Sequence, residues 1–252
     1  MKIFKKLFCF GIIFFSQNGL AEHKISLDII PSYRYEGNNT LGYKRTVDLI
    51  ETILSYTINN RLDIVFKIPW QYKCVQYDNT VKRHFALSDI GFSLPYKFYN
   101  KNNFVISVAP KFTLPYGDDY KYSIGTGRAT YGLVFLASKN WNKFGIKSIF
   151  EFTKYENKTN KELNIWKVSL IPSYKFNSNL KAEVGARLEQ DTIKYNPHKP
   201  FYLIAGLEYT VNNFVSITPT FEVGYRKVED MSDKVIDVTD QKILVKFRFN
   251  LS

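Results

Sequence analysis

The stretch from Ser88 to Phe152 limits what this chain can fold into more than any other, because apolar and polar residues alternate through four successive runs. Ile90, Phe92, Leu94, Tyr96 and Phe98 form the first run, and Phe104, Ile106, Val108, Pro110, Phe112 and Leu114 the second. Tyr131, Leu133, Phe135 and Ala137 form the third; Phe144, Ile146, Phe150 and Phe152 form the fourth, with Ser148 between them. Successive strand side chains point to opposite faces, so each run predicts a strand with one apolar and one mixed face. The connections at 99–103 and 140–143 are short, whereas 116–128 is long. Short turns at one end and long loops at the other are the layout of a transmembrane antiparallel up-and-down β-barrel, an all-β fold.

Extended outward, the same reading gives about twelve strands, each near the 9 to 11 residues that a tilted spanning strand requires. The first is Lys24 to Tyr35, the second Arg45 to Ile58 with its parity blurred at Leu49 and Ile50, and the third Leu62 to Cys74. After the four central runs come Trp166 to Phe176, Leu180 to Glu189, Phe201 to Val211, Phe214 to Arg226 and Lys242 to Leu251. An even count puts both termini at one end, the periplasmic one. Every second connection should then be tight, and each of these contains at least two asparagines: Asn59-Asn60, Asn100 to Asn103, Asn140 to Asn142, Asn177 to Asn179 and Asn212-Asn213. Asparagine tolerates left-handed backbone angles and bonds its own turn, as a tight hairpin needs. The other connections, 36–44, 75–87, 116–128, 155–164, 190–200 and 227–240, are expected as extracellular loops.

Aromatic residues predict two girdles at the lipid–water interfaces. Tyr56, Phe98, Phe104, Trp141, Phe144, Phe176, Tyr209 and Phe214 mark the periplasmic rim; Tyr35, Tyr43, Trp70, Tyr72, Tyr116, Tyr155, Trp166 and Tyr225 mark the outer rim. A soluble barrel with an aromatic core is the competing fold, and the regular alternation of long and short connections weighs against it. Six prolines fall inside predicted strands, at 31, 69, 95, 110, 172 and 219. Each forfeits a ladder hydrogen bond, so bulges or bent strands are expected there.

The first 21 residues carry Lys2, Lys5 and Lys6, an apolar run from Leu7 to Phe15 and a small-residue exit at Gly19 to Ala21. They read as a cleaved secretory signal, leaving 22–252 as one barrel domain. The apolar run is too short to span a bilayer as a helix. Its removal lowers the formal net charge from +12 to +9 and leaves Cys74 as the single cysteine, so no intrachain disulfide can form. The alternating end, Ile243, Val245, Phe247, Phe249 and Leu251, fits delivery to the barrel-assembly machinery, although the final residue is Ser252 rather than an aromatic.

Particular residues in the central stretch carry a family likeness. Ser88, Asp89, Ile90 and Gly91 lead into a strand; Lys111, Leu114, Pro115, Gly117 and Asp118 form a spaced motif with Tyr116 where a threonine is expected; Ile124, Gly125, Thr126 and Gly127 precede the next strand. With these the chain resembles the family called putative MetA-pathway of phenol degradation, an outer-membrane barrel family given the automatic name "transporter". The resemblance implies passage of small solutes, including aromatic ones. Gly117, Asp118, Gly125 and Gly127 would then lie in the third outer loop as a candidate gate, where glycines permit sharp turns. An ordinary surface loop is the alternative.

Strand parity names the lumen. Lys67, Lys97, Lys111, Lys147, Lys167, Arg187, Lys246 and Arg248 are the candidate pore-lining cations, interspersed with Asp63, Asp89, Glu151, Glu183, Glu189 and Glu222. Inward charges need partners or water, so a hydrated interior with an excess of cations predicts a narrow channel with modest anion preference. A plug of mutually paired charges is the alternative, as is an adhesive or structural barrel whose outer loops bind partners. Catalysis finds little support. An outer-membrane phospholipase would need a Ser-His pair, and only His23, His84 and His198 exist, none followed by serine two residues on. No metal site and no cofactor are expected. The partners expected are membrane lipid, lipopolysaccharide, the assembly machinery and a small solute; nucleic acid is not among them, and the barrel is expected to be a monomer in the bacterial outer membrane.

Overall fold

A computed structural model describes residues 23–38, 43–77, 80–116, 128–156, 164–191, 200–229 and 235–251. Among them the chain is entirely strand and turn: β1 (Lys24–Asn38), β2 (Tyr43–Thr57), β3 (Asp63–Tyr77), β4 (Thr80–Leu87), β5 (Ile90–Ser93), β6 (Tyr96–Lys101), β7 (Phe104–Leu114), β8 (Thr130–Trp141), β9 (Phe144–Tyr155), β10 (Asn164–Lys175), β11 (Leu180–Asp191), β12 (Phe201–Thr210), β13 (Val215–Glu229) and β14 (Val235–Asn250). All pairings are antiparallel; apart from β4, β5 and β6 the strands pair with their neighbours in sequence, and β1 pairs with β14, with Ser26 opposite Asn250 and Gly37 opposite Thr239. That last pairing closes the sheet into a barrel. The segments β4, β5 and β6 follow one another along a single place in the wall, between β3 and β7, so the barrel has twelve strands.

The asparagine turns work by two devices. Asn59 Oδ1 accepts hydrogen bonds from the N–H groups of Arg61 and Leu62, at 2.8 and 2.9 Å. Asn177 and Asn212 repeat the pattern two and three residues ahead. In the remaining two turns the backbone turns left-handed instead, at Asn102 (φ 52°), Asn103 (φ 57°) and Asn142 (φ 46°). These are conformations in which asparagine is favoured over most other residues.

Outside, the apolar face is a continuous belt of exposed rings and aliphatics, among them Phe66, Trp70, Phe112, Phe135, Phe150, Leu170, Leu203 and Phe221. Neighbouring strands bring these rings together at a tilt: Phe66 against Phe92 at 5.2 Å between centroids and Phe135 against Phe150 at 6.2 Å. At the turn end Phe144, Tyr174 and Phe176 meet edge to face at 5.0 Å. Such a surface suits lipid and would be insoluble in water over this area. Tyr155 departs from the expected outer girdle: it follows Thr153 on the inward side of β9 and lines an interior cavity. In β2 the ambiguity resolves with Val47, Leu49 and Glu51 inward and Ile50 and Leu54 outward.

Two stretches expected as loops are largely strand. β3 runs to Tyr77 and β4 begins at Thr80, so 75–87 is mostly a hairpin; β13 runs to Glu229 and β14 begins at Val235, so 227–240 is too. Past the apolar belt a strand has no lipid to face, so Lys82 and Arg83 break the alternation without breaking the strand.

The prolines divide into two groups. At Pro31, Pro110, Pro172 and Pro219 the register runs straight through on one side, as in Pro31↔Ile50 and Pro219↔Val245, while pairing lapses on the other. A residue in an antiparallel strand directs its N–H to one neighbour only, so these positions lose pairing on a single side and need no bulge. The expected bulges occur at the other two. Trp70 faces Leu87 but Lys67 faces Gly91, so the wall slips by one residue opposite Pro69. Ser88 and Asp89, consecutive in sequence, both turn inward there and are buried. A second slip falls between Lys97 and Tyr99, just past Pro95.

Candidate functional site

The interior of the barrel is the candidate site, and it is built from alternate residues of every strand. The structure places all eight sequence-predicted cations on the inward side of the wall, and seven of them beside carboxylates. Lys67 Nζ lies 2.7 Å from Glu51, Lys97 lies 3.2 Å from Asp63, and Lys111 lies 2.7 Å from Glu151. Looser contacts join Lys147 to Glu183 at 3.7 Å and Lys167 to Glu189 at 3.8 Å. Arg187 donates to Glu222 at 3.0 Å and contacts Glu189 at 2.7 Å, and Arg248 makes a two-pronged pair with Asp28, both bonds at 2.8 Å. Lys246 is the exception, with no ion pair among the described residues. The gate residues Gly117, Asp118, Gly125 and Gly127 lie outside the described residues.

Toward the loop end the charges merge into one network. Glu36 is fully buried and Asp240 is 1 % exposed, beside Val238 at 0 %. Arg34 Nε donates to Asp240 at 2.9 Å, its Nη2 donates to the other oxygen, and Nε also lies 3.0 Å from Glu36. Arg45 adds a 3.3 Å bond to Glu36. Tyr202 donates its hydroxyl to Asp240 at 2.9 Å, while the Arg187 guanidinium sits 4.5 Å from the Tyr202 ring centre. Glu36 and Asp240 face each other directly across the β1–β14 seam. Two adjacent carboxylates repel, and Arg34 between them makes the arrangement stable. Parity alone marked Arg187 and Glu222; Glu36, Arg45, Tyr202 and Asp240 were not singled out.

Glycine makes part of this network reachable. Tyr202, Gly224 and Asp240 lie in one row across β12, β13 and β14. A Cβ on Gly224 would overlap the Tyr202 ring, so the ring crosses β13 only because no side chain stands there. Lys111 crosses Gly132 in the same way to reach Glu151 and Thr153 on β9.

Lys242 completes the inward set and was not anticipated. In register it stands between Arg34 of β1 and Glu222 of β13, but Glu222 is engaged by Arg187. Lys242 therefore has no ion pair among the described residues. It lines a cavity of about 280 Å³ in the lumen, together with Arg34, Arg45, Lys67, Ser88 and Asp89. A smaller space of about 170 Å³ adjoins it through Asp89 and Thr113, and a third of about 380 Å³ opens at the turn end among Asn103, Asn140, Lys175, Lys181 and Glu208. Among the described residues no cluster of three or more metal-binding side chains occurs. His23 stacks on Tyr56 and shares a 2.9 Å hydrogen bond with its hydroxyl, His84 lies on β4, and His198 is outside the described residues.

A closed antiparallel barrel with an apolar exterior, a charged interior and tight turns at one end defines a membrane-spanning β-barrel of the outer-membrane class. Residues 25–229 match the family described as Putative MetA-pathway of phenol degradation, and the chain belongs to that family. Among solved structures, an outer-membrane channel from Pseudomonas putida F1 is similar with a TM-score of 0.72 and 11% identity, covering 94% of this chain and 98% of that one. The β domain of the Bordetella autotransporter BrkA gives a TM-score of 0.60 at 9% identity, covering 90% of this chain and 98% of that one. The NanC porin gives 0.54 at 9% identity, covering 88% and 98%. At these identities the likeness is one of fold. No curated protein sequence matches the chain.

Proposed function

We propose that the protein is an outer-membrane channel that passes small solutes by diffusion through its lumen, with a modest preference for anions. The observation that carries this reading is an imbalance in the interior. The carboxylates Asp28, Glu36, Glu51, Asp63, Glu151, Glu183, Glu189, Glu222 and Asp240 are each beside a cation, whereas Lys242 and Lys246 have no such partner among the described residues. A passing ion meets uncompensated positive charge, and cationic linings favour anions. A protein of similar fold is described as an outer-membrane channel, which supports the same reading. The chain would lie as a monomer with its asparagine turns in the periplasm and its girdles in contact with lipid and lipopolysaccharide, after export by the general secretory route and insertion by the barrel-assembly machinery. No step of the mechanism requires catalysis.

Reversal potentials across a planar bilayer under a potassium chloride gradient test it. A chloride-selective potential is expected, reduced in the double variant Lys242→Gln and Lys246→Gln. Cation selectivity would overturn the anion preference, and a folded barrel that conducts nothing would overturn the channel itself, favouring the plug of paired charges.

A further inference from the structure

The cavity of about 280 Å³ is two-sided, and that asymmetry specifies a ligand. One part of its lining is apolar: Val47 and Leu49 on β2, and Pro69 on β3. The rest is polar and cationic, with Arg34, Arg45, Lys67 and Lys242 against the carboxylates Glu51 and Asp89. Most of these charges are already committed. Arg34 and Arg45 hold Glu36 and Asp240, and Lys67 holds Glu51. Lys242 is the one lining cation with no ion pair among the described residues, because register sets it beside Glu222, which Arg187 occupies.

The bulge opposite Pro69 enlarges this face of the cavity with polar groups, since Ser88 and Asp89 both turn into it and Gly91 has no side chain to fill it. Apolar walls with a few convergent polar groups are the usual composition of a small-molecule site. One lining cation without an ion pair among the described residues, beside an apolar wall, suits a monoanion with a compact hydrocarbon body. Its carboxylate would neutralise Lys242, and its body would cover Val47, Leu49 and Pro69. The volume of about 280 Å³ is enough for one such molecule.

We infer that this cavity is a selective binding site for small amphipathic monocarboxylates on their way through the barrel. The inference rests on the reading of the lumen as a solute path, and it narrows the solute to a class. An inorganic anion would use the lysine and ignore the apolar wall, and a neutral aromatic would do the reverse. The proposed ligand needs both.

Block of the chloride current by added solutes tests the site in the full-length folded barrel. Sodium benzoate should block at concentrations at least tenfold below sodium acetate, and benzyl alcohol, its neutral counterpart, should not block in that range. Lys242→Gln should weaken benzoate block about tenfold. Leu49→Asn should bring benzoate down to the level of acetate while leaving acetate unchanged, and circular dichroism and heat-modified gel mobility report that each variant still folds. Equal block by benzoate and acetate, or benzoate block indifferent to Lys242→Gln, would overturn the site while a chloride current kept the channel reading intact. Calorimetric titration of benzoate into the detergent-folded protein reads the site without a current. A barrel that passes no ions but binds benzoate through Lys242 would overturn the channel and keep the site; one that binds none would lose both.

Discussion

The seam where the barrel closes and the fourth place in its wall begin from the same alternating pattern and end differently. At the seam the β1–β14 ladder keeps one register from Ser26↔Asn250 to Gly37↔Thr239, lapsing only at Ile30 and Pro31; β14 pairs with β13 without a lapse from Val215↔Phe249 to Glu229↔Val235, and its inward residues include the nearly inaccessible Asp240 and Val238. At the fourth place three short segments, β4, β5 and β6, share the work, with register slips opposite Pro69 and after Lys97. Where the register is unbroken, neighbouring strands are held close enough for buried charges to satisfy one another. Where it slips opposite Pro69, Ser88 and Asp89 both turn inward and a cavity stands beside them. Continuity builds a rigid charged wall, and interruption leaves space a solute can use.

The largest expected effect is on the seam. Asp240→Ala removes the two-pronged partner of Arg34 and the acceptor of the Tyr202 hydroxyl, leaving Arg34 with Glu36 as its remaining carboxylate. Removing one partner of a buried ion pair typically costs about 3–5 kcal/mol, so chemical unfolding in detergent micelles should show a loss in that range. Glu51→Ala, which frees the half-exposed Lys67 near the interrupted wall, should cost far less, and equal losses would break the contrast. Next in size is Gly224→Ala. Its Cβ would displace the Tyr202 ring and with it the bond to Asp240, a strain of about 1–3 kcal/mol. The check is whether Tyr202→Phe combined with Gly224→Ala costs less than the two single changes together, as it should when both act through the same ring.

Much of this contrast was legible in the chain, and what was missing has a physical cause. The asparagine turns and the inward cations follow from local rules, namely backbone preferences and two-residue periodicity, which act within a few positions. Partner choice does not. That Lys111 meets Glu151, or that Arg187 rather than Lys242 holds Glu222, depends on the register between strands, which the local pattern leaves open. Glu36, Arg45 and Asp240 fell within or at the edge of stretches expected as loops, because above the apolar belt the alternation fades while the ladder continues. The Leu49-Ile50 doublet hid the parity of β2 and with it the apolar wall of the cavity. The prolines signalled interruption correctly, but only those facing a bulge bend the register.

The smallest effect compares one ion pair from each region near the turn end. Arg248 grips Asp28 through two bonds of 2.8 Å, and Asp28 is buried. Lys97 meets Asp63 through a single 3.2 Å contact, and the Asp63 side chain is 18% exposed against 7% for Asp28. A planar fork matched to a buried carboxylate holds both bonds in one geometry, whereas a flexible ammonium with a single contact loses most of its attraction to screening and side-chain entropy. Double-mutant cycles separate the pairs from their surroundings. The coupling between Arg248→Met and Asp28→Asn is expected at about 1.5–3 kcal/mol, and that between Lys97→Met and Asp63→Asn at less than about 1 kcal/mol. A Lys97 coupling as large as that of Arg248 would mean that the interrupted strand is held as tightly as the seam, and that the slip at Lys97 and Tyr99 is a rigid feature of the wall rather than its looser side.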